Sequence, residues 1–248
     1  MKPTKTYRIL MTQRSGSTFI CECLKSTGIA GIPGEHFNLM QDKNLREKYG
    51  VTDYEGLRNE TWKQGIGDNG VFGVKHDLHG TYYPAWVNEL RELQGFGPEV
   101  DELTVWEDMF PNCSFIYLTR RNKIRQVVSW WKAIQDNIWH LQGDESHRND
   151  ASFYEEKYDL EALKTLLRQT NVKEAYVQEF FNRHKITPLT IVYEDFLLDV
   201  EGWTKRIVDF LEIPYETFSM GYNGYKKTST DLSEMWVEKL TKDLYQWD

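Results

Sequence analysis

Cysteine is scarce in this sequence: Cys21, Cys23 and Cys113 are the whole set among 248 residues. An odd, sparse set builds no disulfide framework and points to a reducing compartment. Cys21 and Cys23 fall on nearly opposite sides of a helix and have no partner ligands, so no metal site is expected. Long apolar runs are missing too. Nothing approaches the roughly 18 residues that cross a bilayer, and no apolar leader precedes the first strand. A soluble, cytoplasmic protein that does not span a membrane is therefore expected. Positive charge is in deficit, with 30 Lys and Arg against 38 Asp and Glu and a net charge of −8. That argues against general nucleic-acid binding, which needs a basic footprint. Repeats, low-complexity tracts and linkers are absent, so residues 1–248 read as one domain.

What is present begins with a strand, a tight basic loop and a helix. An apolar run, Tyr7 to Thr12, leads into Gln13-Arg14-Ser15-Gly16-Ser17-Thr18 and then a helical stretch from Ser17 to Thr27. This arrangement suits phosphate-like anions, because a helix N-terminus offers unpaired N–H groups and a partial positive charge. Arg14 adds a full charge, Gly16 permits close approach, and Ser15, Ser17 and Thr18 add hydroxyls. Ser17 is a candidate N-cap, and Gly28 marks the helix end.

Apolar strands follow at Val71 to Lys75, Ser114 to Thr119 and Leu189 to Tyr193. Helical patterns are read at Leu39 to Tyr49, Tyr82 to Leu93, Val100 to Phe110, Ile124 to Leu141, Leu160 to His184, Val200 to Leu211 and Ser233 to Leu244. Residues 51–70 receive no firm assignment, and Gln142 to Ser152 reads as a polar loop. The alternation predicts an α/β protein with a parallel central sheet flanked by helices. Ligands in such sheets bind beyond the carboxyl ends of the strands, which collects Arg14, Glu35, His76, Arg121 and Glu194 at one edge.

The loop is not a Walker A motif, since it lacks the wide Gly spacing and the Gly-Lys-Ser/Thr ending. A kinase therefore lacks its expected parts. Arg121 is followed eight positions later by Ser129. A loop Arg and a helix Ser can close on one phosphate. Each feature has a plainer reading: the first loop as an ordinary helix cap, and Arg121 with Ser129 as a solvated helix start and an interior polar residue.

The ordered set of motifs resembles the sulfotransferases that use 3′-phosphoadenosine 5′-phosphosulfate (PAPS), and in particular the bacterial trehalose sulfotransferase-like family. It comprises Gln13 to Thr18, Gly34-Glu35-x-Phe37, Phe72 to Lys75, Leu118 to Arg121 with Gln126-x-Val128-Ser129, Ala133-Ile134-Gln135 with Trp139, and Tyr193-Glu194-Asp195. The resemblance implies a P-loop-like sulfotransferase fold and a metal-free reaction. It implies that Arg14, Ser15, Gly16, Ser17 and Thr18 hold the 5′-phosphosulfate and that Arg121 and Ser129 hold the 3′-phosphate. Lys226 or Lys227 would complete that clamp, or be solvated lysines. Glu35 would be the general base, its pKa raised by partial burial. His76 competes for that role, because Lys75-His76 sits where the cytosolic animal enzymes carry a Lys and a catalytic His. The implied acceptor is a carbohydrate or glycolipid hydroxyl, with Trp130, Trp131 and Trp139 as candidate stacking surfaces or core residues. A homodimer is also implied. A small-molecule kinase and a non-catalytic nucleotide-binding protein are the competing classes. Glu194 and Asp195, adjacent on an extended backbone, would diverge and cap the following helix rather than form a catalytic pair.

Overall fold

A computed structural model describes residues 1–39, 41–79, 82–139, 151–217, 219–221 and 231–245. Four strands, β1 (Lys5–Met11), β2 (Val71–His76), β3 (Cys113–Thr119) and β4 (Leu189–Val192), form one sheet in the order β2-β1-β3-β4. Every pairing is parallel. The register sets Leu10 against both His76 and Tyr117, and Thr119 against Val192. The carboxyl ends of all four strands thus reach one edge, as the alternation of elements predicts.

Strand side chains alternate between two cores. Tyr7, Ile9, Met11, Ile116, Leu118 and Ile191 pack with α1 (Ser17–Ser26) and α10 (Val200–Phe210). Leu10, Phe72, Val74, Phe115 and Tyr117 face the other way. They pack against α3 (Tyr54–Gly65), α4 (Tyr82–Gln94), α5 (Glu102–Glu107) and α8 (Leu160–Arg183). A third cluster joins α6 (Lys123–Asp136) to α8 and α11 (Asp231–Tyr245) through Val127, Trp130, Leu163 and Trp236. Among the described residues, no helix is long and apolar enough to cross a membrane.

Several local expectations are corrected. The helix placed at Leu39 to Tyr49 shrinks to α2 (Leu45–Tyr49), because the Asn44 side chain accepts from Glu47 N–H and starts it there. Residues 51–70 hold α3, capped by Asp53 accepting from Gly56 N–H. A further helix, α7, spans Ala151–Lys157. Helix α1 is preceded by Gly16, not Ser17, and no side chain caps it. Gly28 does end α1, at φ 71, donating to the Lys25 carbonyl. Tyr193-Glu194-Asp195 is not extended: it opens the short helix α9 (Tyr193–Leu198).

Candidate active site

The loop after β1 takes its shape from two left-handed residues, Arg14 at φ 59 and Gly16 at φ 89. Glycine is required at 16, since a Cβ there would lie 2.1 Å from Tyr193 Cδ2. Buried Gln126 on α6 braces the loop, its Nε2 donating to Thr12 Oγ1 and to the Gln13 carbonyl, each at 2.8 Å. With no side-chain cap, the first N–H groups of α1 remain available for an anion. Ser15 is fully buried, and its Oγ has no hydrogen-bond partner among the described residues.

The loop borders a cleft of about 720 Å³, whose lining includes Arg14, Gly16, Ser17, Thr18, Glu35, Lys75, His76, Arg120 and Ser129 but not Ser15. Arg14 Nε donates to Ser129 Oγ at 3.0 Å, and its Nη1 donates to the Trp139 carbonyl. The two anion motifs that lie far apart in the sequence therefore meet through Arg14.

Lys75 is a residue the sequence reading did not assign to the site. It is 5% exposed, and its Nζ donates to Thr18 Oγ1 at 2.7 Å and to Ser17 Oγ at 3.5 Å. The same ammonium lies 3.1 Å from Glu35 Oε1. Glu35 Oε2 accepts from Asn38 Nδ2 at 3.2 Å. A bridge between Gly34 and Val74 pins the Glu35 segment to β2. Lys75 thus joins the anion loop to Glu35 in three side-chain contacts.

His76 lies in the cleft wall but is 4% exposed. Its Nε2 accepts from Arg8 Nε at 3.1 Å, and its Nδ1 donates to the Asp77 carbonyl at 2.9 Å. Burial, then the Arg8 charge, pushes the imidazole pKa down to about 3, so the ring is neutral at physiological pH. Both nitrogens are occupied by these bonds.

Arg120 and Arg121 part company. Arg120 lines the cleft, its Nη1 donating to the Arg14 carbonyl at 3.4 Å and its guanidinium standing 5.3 Å from the Tyr193 ring centre. Arg121 is outside the lining, with a side chain 60% exposed, and its Nη2 reaches both Asp195 oxygens at 2.7 Å. Glu194 caps neither its own helix nor the next. Its carboxylate accepts from Arg121 N–H at 2.8 Å and Asn122 N–H at 3.1 Å, at the start of α6. Burial works to raise the Glu194 pKa, but those N–H bonds and Arg120 outweigh it and hold the carboxyl below its usual range.

Of the three candidate tryptophans, Trp139 lines the cleft, 40% exposed, and Trp86, which the sequence reading did not single out, lines it too. Trp130 belongs to the third core, and Trp131 Nε1 donates to the Lys157 carbonyl. Lys226 and Lys227 lie outside the described residues. Lys173, on α8, was also missed: its Nζ donates to Gln13 Oε1 at 2.7 Å and Asp77 Oδ2 at 2.9 Å on the cleft wall. The available signal for Lys75 and Arg120 was position, each being a cation at or just past the carboxyl end of an apolar strand. Lys173, in mid-helix, left no such signal. Among the described residues, no group of three or more His, Cys, Asp or Glu is placed to hold a metal ion.

Residues 6–243 match the family model described as Stf0 sulphotransferase. The trehalose 2-sulfotransferase of Mycobacterium tuberculosis (strain ATCC 35801 / TMC 107 / Erdman) is 25% identical over 218 residues, covering 77% of this chain and 78% of that protein. The trehalose 2-sulfotransferase of Mycolicibacterium smegmatis is 25% identical over 211 residues, covering 75% of this chain and 76% of its own length. Among solved structures, a sulfotransferase from Alicyclobacillus acidocaldarius aligns at 14% identity and a TM-score of 0.49, over 98% of this chain and 93% of its own.

Proposed function

The chain belongs to the Stf0 sulphotransferase family and is an enzyme, a sulfotransferase; from that premise we propose that its donor is PAPS and its acceptor a hydroxyl of a carbohydrate or glycolipid. Of the classes the sequence left open, membership removes the kinase and the non-catalytic binder. The observation that carries the finer reading is the Lys75 bridge. One buried ammonium contacts both the uncapped anion loop and a carboxylate, Glu35, at the mouth of the same cleft.

The side chains present fit such a donor. Arg14, Lys75 and Arg120 supply positive charge around an open helix N-terminus, and Ser17, Thr18 and Ser129 supply hydroxyls. When bound, PAPS would supply a sulfuryl group for in-line displacement. Arg14 and the α1 N–H groups would hold its 5′ anionic end and stabilise charge building there. Arg120 and Ser129 are the groups in the cleft for the 3′-phosphate. Arg121 would join them by exchanging Asp195 for phosphate, and Lys226 or Lys227 would close the clamp. Glu35 Oε1 or Oε2 would take the acceptor's hydroxyl proton, and Lys75 would keep the carboxylate in line with the loop. The sealed ring of His76 favours Glu35 as the base. The curated relatives' names make trehalose the first acceptor to try. We propose a homodimer, which sedimentation of the full chain would check.

Calorimetry with adenosine 3′,5′-bisphosphate, against ADP and against ATP with Mg²⁺, tests the donor. Tight binding that requires the 3′-phosphate and is indifferent to metal is expected. Preference for ATP with Mg²⁺ would overturn the donor assignment.

A further inference from the structure

A second cavity, of about 570 Å³, opens at the end of the sheet remote from the cleft. It is bordered by the start of β3 (Cys113, Ser114, Phe115), by Ile186 and Thr187 before β4, and by α5. Arg8 forms part of its lining. The side chain leaves β1 on the opposite face from Tyr7 and Ile9 and is 1% exposed. Its guanidinium lies 5.3 to 5.9 Å from the ring centres of Trp106, Phe110, Phe115 and Phe180.

A guanidinium carries five N–H groups, and all of them seek acceptors. Nε donates to His76 at 3.1 Å, and Nη2 to Tyr83 Oη at 3.5 Å, a long bond. Among the described residues, Nη1 has no acceptor and Arg8 has no carboxylate partner. The surrounding rings stabilise the charge through their faces, but they do not replace in-plane acceptors. A buried cation with an N–H group left without an acceptor, in the wall of a cavity, is the complement of a carboxylate.

The walls narrow the class further. Leu103, Trp106, Phe110, Phe115, Ile186 and Phe210 are apolar, which favours a ligand carrying a compact apolar body and penalises a strongly hydrated inorganic anion. Glu107, also in the lining, disfavours a second negative charge. We propose that this cavity is a binding site for a small monocarboxylate, with its carboxylate on the Arg8 guanidinium and its apolar body against the aromatic wall. Nothing in this site depends on the sulfotransferase chemistry of the cleft.

Benzoate is the probe, titrated by calorimetry into the full chain, with benzamide and inorganic sulfate as controls. One saturable site is expected, with benzamide and sulfate each weaker by about tenfold or more. Arg8→Met should abolish binding. Because that buried change could unfold the chain, Thr187→Trp provides a second test. Thr187 is an exposed residue of the cavity lining, so a bulky ring there would obstruct the cavity and leave Arg8 untouched. It should weaken benzoate by at least about tenfold while leaving adenosine 3′,5′-bisphosphate binding unchanged. No saturable heat, equal binding of benzamide, or benzoate displaced by the bisphosphate would each overturn the proposal.

Discussion

The two edges of the cleft use charge in opposite ways. At the β2 edge, the Lys75 side chain is 6% exposed, and its partners, Thr18, Ser17 and Glu35, all line the cleft. At the β3–β4 edge, Arg121 is 60% exposed, and its partner Asp195 belongs to the scaffold. Both edges show a cation on a carboxylate at about the same distance. The difference lies in the cation, since the two carboxylates are about equally exposed, at 39% and 36%: the Lys75 ammonium is held out of water, the Arg121 guanidinium in water and salt. Contact distance alone would rank the Arg121 pair higher, with one nitrogen on both carboxylate oxygens, whereas burial of the Lys75 cation reverses that ranking.

The comparison breaks most visibly at Glu35. Glu35→Gln should lower kcat by about 10² to 10⁴-fold with bisphosphate affinity nearly unchanged; steady-state kinetics beside calorimetry separates the two. If His76→Gln loses turnover in that way and Glu35→Gln does not, the base has been misassigned. Arg14→Ala should come next, costing about 10² to 10³-fold in kcat as the charge-stabilising group is removed; a near-normal kcat would sink that role. The neighbouring arginines sharpen the contrast between edges. Arg120→Ala should weaken the bisphosphate by about tenfold or more, and Arg121→Ala by less. The reverse order, read by calorimetry, would mean that Arg121 swings off Asp195 onto the ligand.

Two smaller effects concern stability. The His76 pKa is depressed to about 3 in the folded chain, against about 6.5 when unfolded. Between those values the unfolded chain binds the extra proton, so stability is full above about pH 6.5 and falls as pH drops toward 3. Urea unfolding at pH 7 and pH 5 should show that loss, and His76→Gln, which keeps an acceptor for Arg8, should flatten it. Asp195→Asn should change stability little, as expected for an exposed pair. A much larger loss in a denaturation midpoint would show that this edge is held more tightly than its exposure implies.

The sheet was legible because its strands are continuous apolar runs, and the turn between β1 and α1 was legible as a turn, although alone it reads equally as an ordinary helix cap. Arg14 and Ser129 meet, 3.0 Å apart, a contact the sequence reading did not make, since it set Ser129 with Arg121. What was not legible depends on side-chain direction. Counting eight positions back from Ser129 selects Arg121, but the backbone after β3 turns Arg120 into the cleft and Arg121 toward Asp195. His76 follows Lys75 in sequence, yet pleating sends the two side chains to opposite faces. One reaches the anion loop and the other sinks beside Arg8. Residues 51–70 concealed α3 because its mixed polar surface carries little apolar period, while the Asp53 cap that starts it is a single local signal.

The tight seat of Gly16 against Tyr193 has a consequence for variation among relatives. The two residues are 177 positions apart (193 − 16), yet the space for a side chain at 16 is already filled by the tyrosine ring. They behave as one shared volume. A chain that departs from glycine at 16 needs a smaller residue at 193, together with a residue such as Asn that tolerates the left-handed backbone. Changing both at once should be milder than changing position 16 alone. Redesign of this loop would therefore begin at α9, behind it, before any residue of the loop is touched.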